Sequence, residues 1–238
     1  FSQFTGAELV ADKWNLSRED LDKFALESHQ KAAHATESKY FDREILPVEG
    51  RNAEGMNDLV MADEGIRFDA SLDKLAGLNP VTEGGVITAG NASQITDGAA
   101  AVMVCNDAGL KRIQANPRAE IVSISVVGDD PVFMLTGPIP ASIQALKTAN
   151  LTIDDMDLYE VNEAFAPVPL AWAEDLKADR SKLNVNGGAM ALGHPLGATG
   201  AKLMTTLLHE MERRESTYGL QAICEGGGTA NATIIKRI

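Results

Sequence analysis

The segment IVSISVV (residues 121–127) decides the fold class, because it opens a regular alternation of strand and helix patterns. Its β-branched residues and short length are typical of a strand. A helical pattern, PIPASIQALKTA, follows at residues 138–149, and a second strand pattern, DLYEV, at residues 157–161. Strands that alternate with helices in this way predict a layered α/β domain.

The same alternation continues to the end of the chain. It predicts a helix at 163–177, a Gly-rich turn at 187–188, a helix at 198–214 and strands at 219–224 and 231–237. Pro167 and Pro169 limit the regularity of the first of these helices. Because only Gly226-Gly227-Gly228 and a few neighbours separate the last two strands, we expect an antiparallel hairpin at one edge of the sheet.

The first 82 residues have a different texture, charged and with helical segments. Ser17 followed by Asp20 is typical of a helix N-terminus, and Leu21, Phe24, Ala25 and Ala32 then recur at helical spacing. Residues 50–69 are polar and predicted to be loop. This composition favours a lid or surface excursion over a core.

Residues 84–116 change character again. The run AAAVMVC (99–105) is short and continuously apolar, which predicts a strand buried on both faces with Cys105 as a core residue. A helix is predicted at 107–115, ended by Asn116-Pro117.

The bulk composition excludes several classes of function. The 238 residues carry 21 Lys and Arg against 34 Asp and Glu, a net charge of −13, so we expect neither nucleic acid nor membrane as a partner. An anionic small ligand is not excluded, because a few local cations or helix N-termini can hold phosphates. The two cysteines, Cys105 and Cys224, show no disulfide or metal-ligand spacing, which favours a reducing compartment, the cytoplasm. The chain opens with Phe1 and no targeting pattern, so it is expected to start within a longer protein.

Three segments place a reactive side chain beside small residues: Asn162-Glu163-Ala164-Phe165-Ala166, the Gly-rich segment 187–200 with His194, and Cys224-Glu225-Gly226. All are predicted near the carboxyl ends of strands, where active sites of α/β sheets gather. Each segment alone has an ordinary explanation. Asn162 would cap a helix, His194 would be a hydrogen-bonded loop residue, and Cys224 would pack in the core. The glycine spacing matches neither a dinucleotide fingerprint nor a P-loop.

Taken together and in this order, the three segments resemble the thiolase family. Further matches are the segments 88–93, 97–100 and 137–141 and the Asp63-Glu64-Gly65-Ile66-Arg67 stretch, so that the resemblance covers essentially the whole chain. It implies a layered α/β/α C-terminal domain at 118–238. It also implies a helical and loop lid that binds coenzyme A at 1–82, and the last strand and helix of an N-terminal α/β domain at 83–117.

The resemblance also implies a reaction, the reversible Claisen condensation or thiolysis of 3-ketoacyl-CoA. Such chemistry needs a cysteine that carries an acyl group, a base for a carbon-bound proton, and donors for two oxyanions. By resemblance, Cys224 is the acid/base, which requires a lowered thiol pKa near neutrality. His194 activates the nucleophile and donates to the enolate oxygen, Asn162 holds a water for that oxygen, and the Gly226 N–H serves the other oxyanion.

Coenzyme A thioesters are substrates in this scheme, and no separate cofactor or metal is expected. Ser93 and Arg67 match family positions that contact coenzyme A. The full-length form is expected to be a homodimer or homotetramer.

The family's acyl-accepting cysteine belongs to an N-terminal half that precedes these residues, and Cys105 is not expected to replace it because it lies inside a predicted strand. The chain is therefore expected to be inactive without that half, either as a piece of a longer thiolase or as a subunit with a separate N-terminal partner. Residues 84–116 should then expose apolar surface. A ketoacyl synthase relative and a non-catalytic acyl-CoA or lipid-binding module are the alternatives. The Cys-x-Gly segment argues against the first, and the joint presence of the three reactive residues argues against the second.

Overall fold

The computed structural model describes residues 2–51 and 54–238. Along these residues the helices are α1 (Gln3–Lys13), α2 (Arg18–Glu37), α3 (Leu72–Ala76), α4 (Asp107–Ile113), α5 (Pro138–Ala149), α6 (Pro167–Leu176), α7 (Ala189–Leu192) and α8 (Thr199–Arg213). The strands are β1 (Val48–Arg51), β2 (Asn57–Val60), β3 (Ala119–Gly128), β4 (Leu158–Val161), β5 (Tyr218–Cys224) and β6 (Thr229–Arg237). In the part of the chain described, no helix combines the length and the apolar character that a membrane span requires.

The main sheet has four strands in the order β3-β6-β5-β4. Strand β6 is antiparallel to both β3 and β5, whereas β4 and β5 run parallel. The predicted β5–β6 hairpin is confirmed, but its expected position at an edge is wrong, since β3 and β4 pair on its two outer sides. Ala230, Ala232 and Ile234 have no exposed surface, as expected for a central strand.

Helices cover both faces of this sheet, which confirms the α/β/α layering. Helix α5 packs on β3 and β6 and against α6, while α8 packs on β4 and β5. Fully buried Ala141 and Ala145 let α5 come close to β3. Their carbonyl oxygens accept hydrogen bonds from the Ser125 and Ser123 hydroxyls. On the opposite face, Leu207 and Met211 of α8 pack against Leu158 and Ile235.

The elements predicted after residue 118 agree with the structure to within two residues, with one exception. Helix α6 begins at Pro167 instead of residue 163, because residues 162–166 form the loop that follows β4. Proline suits the first helical position, where its missing N–H would have no helical partner.

Helices α1 and α2 correct the expectation that residues 1–82 lie over the surface. The N-terminus of α2 is confirmed, with a capping box between Ser17 and Asp20. However, the apolar stripe of α1 and the first part of the α2 stripe belong to the main hydrophobic core, where α1 packs on α6. Ala32, further along α2, lies in a smaller apolar cluster. Burying these stripes stabilises the two helices, since most helical stability in proteins comes from the packing of an amphipathic face.

The predicted loop at residues 50–69 contains part of a small antiparallel hairpin. Its strands β1 and β2 pair Val48 with Val60 and Arg51 with Asn57. Both strands are largely exposed, so the polar sequence gave no apolar alternation by which to predict them.

The strand predicted at residues 99–105 is wrong. These residues form no strand, and Val102, Met103 and Val104 are 43%, 77% and 70% exposed. A strand needs a neighbour for its backbone N–H and C=O groups, and the described residues place none beside this run. Cys105 is exposed instead of buried and precedes Asn106, the N-cap of α4, so its supposed position inside a strand does not hold. The expected exposure of apolar surface in residues 84–116 is confirmed.

Candidate active site

The carboxyl ends of β4 and β5 bring the first and third reactive segments together. The two strands are parallel with Val161 opposite Ala222, and the Asn162 N–H donates to the Ala222 carbonyl at 3.0 Å. Neighbouring strands lie about 4.8 Å apart. Asn162 therefore leaves the sheet at the same edge as Cys224, which ends β5 two residues after Ala222.

Asn162 is buried at this edge and does not cap a helix. It is 1% exposed, and its Nδ2 lies 3.4 Å from His194 Nε2. Its Oδ1 is buried and has no hydrogen-bond partner among the described residues. A buried polar atom without a partner costs about 1–3 kcal/mol, so this oxygen is suited to accept a hydrogen bond from a water or a substrate group.

The contacts of His194 select its tautomer. Its Nδ1 lies 2.6 Å from Thr199 Oγ1, and the Thr199 hydroxyl donates to the Pro195 carbonyl at 3.1 Å. When that hydroxyl proton stays directed at the Pro195 carbonyl, Nδ1–H donates to Thr199 and Nε2 keeps its lone pair. Burial lowers the pKa of His194, which favours the neutral ring. The imidazole can therefore accept a proton at Nε2.

The backbone that carries His194 depends on a glycine. Gly193 has φ +86°, and a Cβ there would lie 2.3 Å from Thr96 Oγ1, so a side chain is excluded by conformation and by contact. The His194 N–H donates to the Gln94 carbonyl at 3.2 Å. Directly after His194, a cleft of about 450 Å³ opens between residues 96–100 and 195–198.

Cys224 has an environment different from the expected one. It is 7% exposed, and burial, with a smaller effect of the nearby Glu225 carboxylate, raises the pKa of its thiol to about 12. This shift is opposite to the lowered pKa that the acid/base role of Cys224 requires. Near neutrality the resting side chain is a protonated thiol, which is a proton donor before it can be a base.

Gly226 lies two residues beyond Cys224 on an exposed turn. A Cβ built there would meet no atom within 4 Å, and the left-handed residues of this turn are Gly227 and Gly228 instead. The space on the Cβ side of Gly226 is therefore open.

Of the two residues expected to contact coenzyme A, one reaches this edge. The Ser93 N–H donates to the Ala164 carbonyl at 3.0 Å, two residues from Asn162. Arg67 is exposed on a separate segment, where its backbone N–H donates to His29 Nδ1 at 3.1 Å.

Several residues of the site were missed by the sequence analysis. Thr199 fixes the His194 ring, and it lies inside the segment already singled out. Gln94 connects three segments. Its side-chain Nε2 donates at 2.7 Å to the backbone carbonyls of Gly65 and Met190, and its backbone carbonyl accepts the His194 N–H. Such contacts between remote segments leave no local pattern in a sequence. In the described residues, no group of three or more His, Cys, Asp or Glu side chains could hold a metal ion.

Comparison with known proteins places the chain among the thiolases. The family model described as the thiolase C-terminal domain matches residues 115–237, and that of the thiolase N-terminal domain matches residues 4–108. A steroid 3-ketoacyl-CoA thiolase of Mycobacterium tuberculosis, FadA6, is 54% identical over 237 residues, which are 100% of this chain and 57% of that protein. The acetyl-CoA acetyltransferase of Bacillus anthracis is 39% identical with a TM-score of 0.94, over 99% of this chain and 60% of that one. Human mitochondrial 3-ketoacyl-CoA thiolase, solved in complex with CoA, is 40% identical with a TM-score of 0.90, over 98% and 58%.

These matches also bear on the extent of the chain, which spans about three fifths of the length of the relatives it matches. The match to the N-terminal-domain model begins at residue 4, so the expectation that most of that domain is absent is not supported. The expected inactivity and the alternative of a non-catalytic binding module also find no support in these relatives. The model of the thiolase C-terminal domain matches more than half of the residues of this chain, and the chain therefore belongs to the thiolase family.

Proposed function

We propose that this protein is an acyl-CoA C-acyltransferase that catalyses the reversible Claisen condensation and thiolysis of 3-ketoacyl-CoA. The observation that carries the proposal is the meeting of Asn162 and His194 at the carboxyl edge where Cys224 ends β5. The three groups differ in kind: an amide with an unpartnered oxygen, a neutral imidazole and a protonated thiol. The relatives named thiolases support the same substrate class.

The protonation states suit the cleavage direction. When the carbon–carbon bond of a 3-ketoacyl thioester breaks, the departing acetyl-CoA enolate needs a proton at carbon. The Cys224 thiol, whose pKa is raised by burial, holds that proton near neutrality and donates it, leaving a thiolate. In the condensation direction that thiolate removes the same proton.

His194 and Asn162 act on the thiol and on the oxygen. His194 Nε2 accepts the proton of the acyl-accepting cysteine, and the resulting imidazolium donates Nε2–H to the enolate oxygen. A water that donates one hydrogen to Asn162 Oδ1 directs its other hydrogen to that oxygen. The Gly226 N–H serves the second oxyanion. The acyl-accepting cysteine itself is assigned to neither Cys224 nor Cys105.

Exchange of carbon-bound protons tests this scheme. We expect the chain, incubated with acetyl-CoA in D₂O, to introduce deuterium into the acetyl methyl group, as measured by mass spectrometry. Cys224→Ala should abolish the exchange, while Cys105→Ala, which changes the exposed cysteine, should leave it unchanged. Exchange no faster than in buffer, or equal exchange by the Cys224→Ala variant, would reject the proposal.

Ser93 and Arg67 are assigned to coenzyme A, which enters as part of the substrate. Because contacts remote from the reacting carbon mainly affect binding, Arg67→Ala should raise KM for acetyl-CoA in the exchange reaction, with a smaller loss in kcat. The effect should shrink for a truncated thioester without the nucleotide, and an equal effect on both thioesters would place Arg67 elsewhere. A homodimer or homotetramer stays our prediction for the assembly of the full-length form, to be measured by light scattering.

A further inference from the structure

Glu163, directly after Asn162, is a buried carboxylate that the proposed chemistry does not use. It is 1% exposed and accepts hydrogen bonds from Ser28 Oγ at 2.7 Å, Asn184 Nδ2 at 2.9 Å and Met190 N at 3.1 Å. These three donors come from α2, from the loop before α7 and from α7 itself. One side chain thus connects three segments that are distant in the sequence.

Ser28 completes the connection on the side of α2. Its hydroxyl donates to Glu163 and accepts the Gly188 N–H at 3.0 Å. Space at this point is occupied by the carboxylate, since a Cβ on Gly188 would lie 2.2 Å from the Glu163 carboxyl carbon. The turn that leads to His194 therefore begins pressed against Glu163.

Asn184 fixes the other end of the connection. Its Oδ1 accepts the Val161 N–H and its Nδ2 donates to the Val161 carbonyl, both at 2.9 Å, which extends the pairing of β4 by one side chain. Asn162 is thus held in place through both of its neighbours in the chain. Asn184 fixes the backbone of Val161, and three hydrogen-bond donors fix the side chain of Glu163.

We propose that Ser28 and Glu163 are a positioning pair, which holds Asn162 against His194 by tying the end of β4 to the turn at Gly188. Neither residue touches the reacting atoms. The pair gives helix α2, which the family resemblance places in a lid that binds coenzyme A, an indirect part in the proton chemistry. The kinetic consequence rests on the proposed thiolase function, whereas the geometric consequence does not.

The histidine side chains provide a readout in the 238-residue chain, which contains four of them. In ¹⁵N-labelled protein, the imidazole shifts of each histidine are followed as a function of pH. The expected result for Glu163→Gln and Ser28→Ala is that the Nε2 shift of His194 changes. The pKa of His194, which burial lowers, should also rise by about half a unit or more as water gains access to the ring. His209, on α8, should keep its wild-type titration.

Glu8→Gln is the matched control. The Glu8 carboxylate ties α1 to the N–H groups of Val86 and Ile87, in the same manner but away from both loops. This variant should leave His194 unchanged. If His194 titrates as in the wild type in the folded variants, the positioning role is rejected, and should Glu163→Gln not fold, Ser28→Ala alone decides.

Deuterium exchange into acetyl-CoA provides the kinetic arm. We expect Glu163→Gln to lower kcat for exchange roughly tenfold with little change in KM, because the loss concerns orientation and not binding. An unchanged kcat, or a fall explained by KM alone, would contradict the inference. If the wild-type chain shows no exchange at all, the proposed function fails, and the titration of His194 still decides on the positioning pair.

Discussion

Two glutamates at the end of β4 show how differently two buried carboxylates can behave. Glu160 and Glu163 are 2% and 1% exposed and lie on one strand end. Glu163 accepts three hydrogen bonds, whereas Glu160 Oε2 is buried without a partner among the described residues. Burial raises the pKa of both; for Glu160 the value reaches about 8, and for Glu163 hydrogen bonds oppose the rise.

The surroundings of Glu160 complete the contrast. It faces α8, whose Lys202 attracts it and whose Glu210 repels it, and Glu44 and Glu163 add to the repulsion. Burial alone therefore does not fix the state of a carboxyl group. Hydrogen-bond donors make Glu163 a fixed part of the structure, and their shortage makes Glu160 a group that titrates near neutrality.

The largest expected effect is a difference in the free energy of unfolding between variants of the two glutamates. Glu163→Gln places an NH₂ group against the donors that face the carboxylate, so the free energy of unfolding should fall by about 2–3 kcal/mol near pH 6. The glutamine in Glu160→Gln resembles the protonated Glu160 already present at this pH, so this variant should change the free energy of unfolding little. Urea unfolding of both variants measures the difference, and equal losses would break the comparison.

The second prediction concerns pH. The pKa of Glu160 is raised to about 8 from an ordinary 4.5. Its contribution to stability is therefore fully present below pH 4.5 and is lost as pH rises through about 8. Between about pH 6 and pH 9 the free energy of unfolding of the wild type should fall by on the order of 2 kcal/mol. The Glu160→Gln variant should not show this fall. Parallel stability profiles for the two proteins would show that Glu160 does not titrate in this range.

The fold after residue 118 could be predicted from the sequence because each element carries its own apolar pattern. The strands at 121–127 and 219–224 and the helix at 138–149 are recognisable from a few consecutive residues. The run at 99–105 carries the same kind of pattern but forms no strand, since a strand also depends on a neighbour that no local pattern describes.

The site was predictable to the same extent. Asn162 and His194 stand in segments whose composition marks them, and the structure brings them together. The Ser28–Glu163 hydrogen bond joins residues 135 positions apart. A serine within an amphipathic helix gives no sign of such a partner, and the raised pKa of Cys224 depends on burial that only the assembled strands create.

The third prediction, smaller in effect, tests whether Glu44 and Glu160 titrate together. Burial raises the pKa of Glu44 to about 7, and the Thr206 hydroxyl, which donates to it at 2.9 Å, opposes the rise. By the same linkage, Glu44→Gln should retain about 1 kcal/mol that the wild type loses as pH rises through about 7. Glu44 and Glu160 repel each other when both are ionised. At pH 9 the double variant should therefore gain less free energy of unfolding than the two single variants gain together. Full additivity in urea unfolding would mean that the two carboxyl groups titrate independently.

The smallest effect should come from Lys202, whose attraction lowers the pKa of both Glu160 and Glu44 against the effect of burial. Lys202→Met removes that attraction. Near pH 6, where Glu160 is neutral, the variant should unfold in urea almost like the wild type. At pH 9, where both carboxyl groups are ionised, it should be less stable by about 0.7 kcal/mol, the equivalent of half a pKa unit. Lys147→Met, at an exposed position in the last turn of α5, is the matched control and should show no such dependence on pH. Placing Lys202→Met in the Glu44→Gln/Glu160→Gln background should remove the loss at pH 9. A loss that persists there, or that is equal at both pH values, would mean that Lys202 stabilises the protein through its packing on α8 and not through these two carboxylates.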